Sequence, residues 1–269
     1  MNFFVARASK PPHPRDTVQE KQTILVTGSA GRIGRAVVAE LVARGHAVRG
    51  FDRTPTPGTR DFIIGDITNA DAVKRAAQGV SVVIHLAATP DDADFLTQLL
   101  PPNIIGLHHV LEAARLAGAR RTVLASSGQV NWWQRQRQTA PISPHEPVTP
   151  RYWYAATKVF AEAIGQGYAE THGIEVIAVR LGWVPRDAAH IAEISATDWA
   201  QDVYLSPGDA GRFFAAAVEA PMKERFAILY ATSKPVNLPR FDLGPTKELL
   251  GWEPVEMWPT GADQWRSEG

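Results

Sequence analysis

Short apolar runs alternate with amphipathic segments along the chain from residue 23 onward. The apolar, β-rich runs lie at 23–27, 47–52, 62–66, 81–86, 122–126 and 174–180. Segments with apolar side chains at helical spacing lie between them, at 33–42, 69–77, 103–117 and 152–170. The run at 81–86 is almost continuously apolar, which is typical of a strand buried on both faces. Strand and helix therefore alternate, and the pattern predicts an α/β fold with a Rossmann-type, doubly wound parallel sheet.

Composition narrows the classes of partner. The 28 Lys and Arg residues balance the 28 Asp and Glu residues, so no net charge favours nucleic acid or an anionic membrane as a partner. The chain has no cysteine, which excludes disulfides and thiolate metal sites and fits a cytoplasmic protein. No apolar run approaches the ~18 residues that span a bilayer. We therefore expect a small-molecule substrate, with no nucleic-acid or membrane partner.

Three glycines follow the first predicted strand and precede the first predicted helix. Gly28, Gly31 and Gly34 have the spacing G-x-x-G-x-x-G. Glycine lets the backbone approach a pyrophosphate closely, and the N-terminus of the following helix offers free N–H groups. A tight strand-to-helix turn can need the same glycines, so the motif gains its meaning from its position. That position predicts a dinucleotide site.

Acidic residues end the next two predicted strands. Asp52 stands eighteen residues after Gly34, where a carboxylate can accept hydrogen bonds from ribose hydroxyls. It would repel a 2′-phosphate, which favours NAD over NADP, although the adjacent Arg53 is able to pair with that phosphate. Asp66 and Ile67 follow the third strand and are placed to meet the adenine. The alternative for Asp52 is a solvated strand end.

Tyr154 and Lys158 lie four residues apart on a predicted helix, so their side chains share one face. A phenol has an unperturbed pKa near ~10. A neighbouring ammonium and a positively charged nicotinamide would lower the pKa of Tyr154. The pair could then exchange a proton with a substrate hydroxyl while a hydride moves to or from the cofactor. Ser126 and Ser127, at the end of the fifth strand, are candidates to hold the substrate oxygen.

In this order the motifs resemble those of the extended short-chain dehydrogenases/reductases, the NAD-dependent epimerase/dehydratase family. The matching segments are 27–34, Asp66–Ile67, 85–88, Asn103, Ser126–Ser127 and 154–158. The resemblance implies that Tyr154 is the acid/base, that Lys158 is its partner and a ribose anchor, and that Ser127, with Ser126 as the alternative, binds the substrate oxygen. The residues expected at NAD are Gly28, Ala30, Gly31, Arg32, Ile33, Gly34, Asp52, Arg53, Asp66, Ile67, Leu86, Ala87, Ala88, Asn103, Tyr154 and Lys158.

Within that family, residues 103–115 and 249–254 are similar to uronate dehydrogenases, which oxidise hexuronic acids at C1. The chain departs from their pattern twice. Gly128 and Gln129 replace an Asn-His pair, and Ala192 or Glu193 occupies the place of the arginine that should bind the carboxylate. Neither residue can replace a bidentate guanidinium. The sequence therefore predicts a sugar or sugar acid as substrate, with a uronate, a neutral sugar and another small polyhydroxy compound all left open.

The chain divides into three predicted parts. Residues 1–20, with prolines at 11, 12 and 14, form a flexible N-terminal arm or a segment that packs on a partner subunit. Residues 21–180 form the NAD-binding Rossmann domain. Residues 181–269, in which prolines separate short elements, form a small substrate-binding cap interleaved with the sheet edge. An apolar face made by Leu107, Val110, Leu111 and Ala114 permits a homodimer but equally fits burial in a monomer.

These observations predict an NAD-dependent oxidoreductase that oxidises a hydroxyl or hemiacetal of a small sugar-like substrate. Two alternatives stay open: an epimerase or dehydratase that retains NAD, and a dinucleotide-binding sensor without catalysis. Trp132 and Trp133 are candidates to stack on a sugar or to pack internally. His190, Arg135, Arg137, Arg151 and Arg186 are candidate substrate ligands or solvated residues. No metal site is predicted, because His145, Glu146, His190 and Glu193 have no further ligands grouped nearby.

Overall fold

The computed structural model describes residues 23–136 and 141–265. Its centre is a seven-stranded, all-parallel sheet with the order β3-β2-β1-β4-β5-β6-β7. The strands are β1 (Thr23–Thr27), β2 (Ala47–Asp52), β3 (Asp61–Ile64), β4 (Val82–His85), β5 (Arg121–Ser127), β6 (Glu175–Leu181) and β7 (Phe226–Ala231). The predicted Rossmann-type fold is confirmed. The predicted arm at 1–20 and Arg137 lie outside the described residues.

Eight α-helices accompany the strands in the described ranges. They are α1 (Arg32–Ala43), α2 (Ala70–Ala77), α3 (Leu107–Leu116), α4 (Trp153–His172), α5 (Ala188–Ser195), α6 (Asp198–Asp202), α7 (Pro207–Glu219) and α8 (Gly244–Leu250). Asn69 is the N-cap of α2, because its side chain accepts a hydrogen bond from the Ala72 N–H at 3.0 Å. Helix α4 ends at Gly173, whose φ of 70° is the left-handed conformation that favours glycine.

Two segments differ from the expected pattern. The helix predicted from residue 103 begins only at Leu107, because the preceding turns, Phe95–Gly106, are π-helical and contain Pro101 and Pro102. Proline lacks the N–H that an α-helical ladder requires. The segment 128–150, to which the sequence pattern assigns neither strand nor helix, begins with a 3₁₀ segment at Gly128–Gln136. Both differences lie beside the carboxyl edge of the sheet.

The core fills both faces of the sheet. On one face, α1 and α7 pack through fully buried residues such as Val37, Leu41, Phe213 and Phe214. On the other, α2 and α3 cover Leu25 and Val83. The region after residue 181 thus supplies both an edge strand, β7, and a covering helix, α7. No helix in the described ranges is long and apolar enough to cross a membrane.

The four residues proposed as a dimer face are buried within the subunit. Leu107, Val110, Leu111 and Ala114 are at most 2% exposed, and they pack in the core. The apolar face of α3 is therefore explained by burial within the subunit.

Candidate active site

A cleft of about 720 Å³ runs along the carboxyl ends of β1, β4, β5 and β6. Ligands bind at this edge in open parallel sheets. Many of the predicted site residues line it: Gly28, Gly31, Arg32, Ile33, Gly34, Leu86, Ala88, Ser127, Tyr154 and Lys158. Its far end is lined by Trp132, Arg135, Trp183, Arg186, His190, Glu193 and Trp199. The structure thus brings the glycine turn, the Tyr154–Lys158 pair and the aromatic residues after β5 into one continuous space.

The glycine turn is shaped first by its own packing. Gly28 has a φ of 71°, and a Cβ there would lie 2.7 Å from the Ala87 nitrogen. A Cβ on Gly34 would overlap the Gly28 carbonyl oxygen. Helix α1 then begins at Gly31, which provides no side-chain cap for the first amides. An uncapped helix N-terminus that lines a cleft fits the diphosphate of a dinucleotide.

Asp52 ends β2 directly beside this turn. Its carboxylate accepts hydrogen bonds from the backbone N–H groups of Ala30, at 3.0 Å, and Arg53, at 2.6 Å. The turn and the end of the neighbouring strand are therefore joined. Asp52 and Arg53 do not line the cleft itself, so their contact with a ribose stays a prediction.

Five other predicted cofactor residues also lie off the cleft wall: Ala30, Asp66, Ile67, Ala87 and Asn103. The Asp66 carboxylate accepts hydrogen bonds from the N–H and hydroxyl of Thr68, and these bonds lower its pKa. Ile67 is 7% exposed and belongs to the core, and the Ala87 side chain packs against the same cluster. Asn103 is 5% exposed, and its side chain hydrogen-bonds the backbone of Thr89. Their contact with a cofactor stays a prediction.

Ser127, Tyr154 and Lys158 meet at the middle of the cleft. Ser127 and Tyr154 both line the cleft, and the Ser127 hydroxyl acts on the phenol of Tyr154 by lowering its pKa. The backbone N–H of Gln129 donates to Ser127 Oγ at 3.2 Å. Lys158 Nζ donates to the Ala125 carbonyl at 3.0 Å and lies 5.5 Å from the centroid of the Tyr154 ring. This arrangement holds a phenol, a hydroxyl and an ammonium within reach of one substrate group.

Burial dominates the pKa of Tyr154. Burial raises this pKa to about 12, and the Asp91 carboxylate also raises it, whereas Ser127 and Arg186 lower it. Burial also lowers the pKa of Lys158 to about 8. Lys158 donates to a backbone carbonyl, and the predicted stabilisation of the phenolate by Lys158 together with a bound nicotinamide stays a prediction. His85, which is hydrogen-bonded to the Thr27 hydroxyl at 2.8 Å, has a pKa lowered to about 3 by burial and by Lys158.

A buried polar network separates the roles of the two serines. Ser126 Oγ donates to Glu162 at 2.6 Å, and Glu162 forms two 2.8 Å hydrogen bonds with Arg180. The two charged side chains are only 5% and 1% exposed. Ser126 is thereby committed to the network, and Ser127 is left facing Tyr154. The sequence signal for this network was weak, because Glu162 lies on a helix with no motif of its own.

Two further contacts position the helix that carries Tyr154. Asp92 Oδ1 accepts a hydrogen bond from the Tyr154 N–H at 3.2 Å, which supplies the first turn of α4 with an acceptor from a distant loop. The Thr157 hydroxyl donates to the Tyr154 carbonyl at 2.7 Å and accepts from Asn103 at 3.2 Å. Sequence reasoning missed Asp92, which no spacing rule connects to α4.

Some of the candidate substrate ligands line the cleft, and others do not. Trp132 and Arg135 line the cleft, whereas Trp133 is 52% exposed and lies outside its lining. Arg186 forms an ion pair with Asp91 at 2.7 Å and contacts His190 Nε2 at 2.9 Å. No group of three or more metal-ligand side chains is found among the residues that the structure describes.

Comparison with known proteins agrees with this geometry. The sequence model of the NAD dependent epimerase/dehydratase family matches residues 24–184. The chain belongs to this family. The predicted family and enzyme class, an NAD-dependent oxidoreductase of the extended short-chain type, are therefore confirmed.

Individual relatives of this epimerase/dehydratase-family protein are dehydrogenases. An L-arabinose 1-dehydrogenase (NAD(P)(+)) of Haloferax volcanii is 33% identical over 216 residues, which are 75% of this chain and 84% of the relative. A uronate dehydrogenase of Pseudomonas syringae pv. tomato is 31% identical over 59% of this chain, and the match spans 58% of that enzyme. A mutant uronate dehydrogenase from Agrobacterium tumefaciens, solved in complex with NAD, is 26% identical, with a TM-score of 0.72 over 87% of this chain and 85% of its own.

Proposed function

We propose that this protein is an NAD-dependent dehydrogenase that oxidises a hydroxyl or hemiacetal of a small sugar-like substrate. The observation that carries the proposal is one cleft that joins the uncapped start of α1 to Ser127, Tyr154 and Lys158. A dinucleotide-binding sensor would need the uncapped start of α1 but not the group of Ser127, Tyr154 and Lys158. An epimerase shares both features. However, the relatives that are 33% and 31% identical to this chain are named as an L-arabinose 1-dehydrogenase and a uronate dehydrogenase.

The chain's own residues provide the proton chemistry. Ser127 donates to or accepts from the substrate oxygen, and Tyr154, as the phenolate, accepts the hydroxyl proton when the C–H bond breaks and the C=O bond forms. NAD, when bound at the glycine turn, would supply the acceptor for the hydride of the C–H bond. The ammonium of Lys158 and the positive ring of the cofactor oppose the effect of burial on the pKa of Tyr154. Phenolate formation thereby becomes favourable only in the loaded site.

The cofactor is assigned to the glycine-turn end of the cleft. Backbone amides at the start of α1 would hold the diphosphate, and Asp52 would accept hydrogen bonds from the ribose. The carboxylate of Asp52 disfavours a 2′-phosphate, so we propose NAD as the preferred dinucleotide. Leu86 and Ala88 line the same groove and fit against an apolar ring edge.

The substrate is assigned to the end of the cleft that bears Trp132 and Trp199. Relatives named for L-arabinose and for uronates act on small sugars, one neutral and one acidic. A cyclic aldose with a free hemiacetal at C1 suits both the hydroxyl-binding pair and the aromatic walls. We therefore propose C1 oxidation of a free sugar or sugar acid.

The test follows NADH absorbance while the purified protein and NAD are offered free aldoses, uronic acids and polyols. The proposal is supported if the protein oxidises one of these classes of compound and if Tyr154→Phe loses this activity but keeps its affinity for NAD. Isomerised sugar without NADH release would select the NAD-retaining epimerase. NAD binding with no change in any sugar would select the sensor.

We also propose that the protein forms a homodimer. Four large apolar side chains lie exposed on the π-helical segment and on α4: Leu96, Ile105, Trp153 and Phe160. Clustered exposed apolar side chains of this kind mark association surfaces. Sedimentation would show a monomer if the proposal is wrong. The cytoplasmic location expected from the sequence stays a prediction.

A further inference from the structure

Arg135 occupies the substrate end of the cleft without a carboxylate partner. It follows β5 in the 3₁₀ segment, and its guanidinium carbon lies 4.1 Å from the ring centroid of Trp132 and 5.9 Å from that of Trp199. Within residues 23–136 and 141–265, it forms neither an ion pair nor a hydrogen bond. Arg135 is a cation that lies beside two aromatic rings in the cleft, and its N–H donors are available to bind a ligand.

The other arginines of the cleft are occupied differently. Arg186 is paired with Asp91 at 2.7 Å. Arg32 lies on the first turn of α1, where the cofactor diphosphate is assigned, and the charge of Arg186 acts on it. At the substrate end of the cleft, Arg135 is thus the arginine that remains available to bind a ligand.

The position of Arg135 over Trp132 determines how it can bind. Its guanidinium carbon lies 4.1 Å from the ring centroid, and its N–H donors remain available for a ligand. Burial lowers the pKa of Arg135, and the nearby Arg151 lowers it further. A partly desolvated cation attracts an anion more strongly than one in bulk water does. The fixed fork matches the two oxygens of a carboxylate.

We propose that Arg135, stacked on Trp132, is a specificity-determining residue that binds the carboxylate of a sugar acid. The proposal rests on the proposed dehydrogenase function and names its substrate class. It resolves the missing arginine, because Ala192 and Glu193 stand where a uronate-binding arginine was expected. The guanidinium is supplied instead from the segment after β5.

A carboxylate fits better than a phosphate. Glu193 also lines this end of the cleft, and its charge acts on Arg135. Glu193 repels either anion, but it repels a phosphate dianion more strongly than a monoanionic carboxylate, and the carboxylate matches one guanidinium with two parallel hydrogen bonds.

The kinetic test compares D-glucose, D-glucuronate and D-glucose 6-phosphate, which differ only at C6. Arg135→Gln is expected to raise KM for glucuronate about tenfold or more, the value of one charge-assisted interaction, without changing the constants for glucose. Arg151→Gln is the matched control, because Arg151 also lies over Trp132, at 5.2 Å, but does not line the cleft. It should leave all three substrates unchanged. D-galacturonate and D-galactose form a second pair for the other C4 configuration.

A loss in Arg135→Gln that is equal for acid and neutral sugar would overturn the proposal, as would a wild-type preference for the neutral sugar. A preference for glucose 6-phosphate that depends on Arg135 would assign the site to phosphate and overturn the stated class. Unchanged NAD affinity and Tm in Arg135→Gln exclude a folding defect.

A binding test separates this proposal from the dehydrogenase function. Glucuronate and galacturonate are titrated by calorimetry into Tyr154→Phe with NADH present, with and without Arg135→Gln. Arg135-dependent binding, together with a wild-type protein that oxidises no sugar, would refute the dehydrogenase function and keep the carboxylate site. The carboxylate site would be overturned if Arg135→Gln leaves the binding of the acids unchanged, or if neither acid binds. This holds even if neutral sugars are oxidised.

Discussion

Asp92 caps the helix that carries the candidate acid/base, because its Oδ1 accepts a hydrogen bond from the Tyr154 N–H at 3.2 Å. The N-cap residue of α4, Tyr152, provides no side-chain cap of its own. A carboxylate near a helix N-terminus also interacts favourably with the helix dipole. The loop after β4 therefore fixes where α4 starts, and with it the position of the phenol.

We predict that Asp92→Ala lowers kcat severalfold and the free energy of unfolding by about 1 kcal/mol, the usual cost of a lost cap. Asp92→Asn keeps an acceptor and should retain most of both. Urea unfolding and steady-state kinetics measure the two quantities. Equal behaviour of the two variants would show that the cap has no positioning role.

The buried Glu162–Arg180 pair predicts a large effect on stability. Glu162→Ala leaves Arg180 as an unpaired charge that is 1% exposed, so we expect a loss of about 3–5 kcal/mol in the free energy of unfolding. The control is Lys247→Met, which breaks an ion pair whose side chains are 62% and 64% exposed. Denaturant unfolding should detect no change there. A small effect of Glu162→Ala would mean that water or a neighbouring group replaces the carboxylate.

Gly34 should tolerate no side chain. In Gly34→Ala the added methyl would overlap the Gly28 carbonyl, so the turn must open, and we expect both NAD affinity and stability to fall sharply. Gly79→Ala is the comparison, because Gly79 has a φ of 70° but nothing within 4 Å of an added Cβ. It should cost about 1–2 kcal/mol of stability from its left-handed conformation alone and leave NAD binding intact. Fluorescence titration with NADH distinguishes the two.

The lowered pKa of Lys158 predicts how the stability of the protein changes with pH. Burial lowers its pKa from 10.5 to about 8, so between those values the unfolded chain binds a proton that the folded protein has released. Stability contributed by this group therefore rises with pH in that window. The difference in unfolding free energy, wild type minus Lys158→Met, should increase by about 2 kcal/mol from pH 8 to pH 10. A flat difference would show that Lys158 keeps its proton when buried.

The local pattern of the sequence was sufficient for the repeating architecture. Period-two and period-3.6 patterns lie in neighbouring residues, so all six predicted strands and the helices α1, α2 and α4 lie within a few residues of their predicted positions. The motifs at Gly28–Gly34 and Tyr154–Lys158 were recognisable because each depends on spacing within one turn or one helix. The helix predicted from residue 103 was less well placed, because prolines interrupt the α-helical ladder there.

The sequence by itself determined the sheet, the glycine turn and the Tyr154–Lys158 pair, since short-range spacing specifies each of them. Only the tertiary structure decided which serine faces the phenol: alternation along β5 sends adjacent side chains to opposite faces, and Glu162 lies on the face of Ser126. It also decided that Arg135 meets Trp199, a residue from a segment that follows β6. Such pairings depend on how distant segments pack, and no local pattern records them.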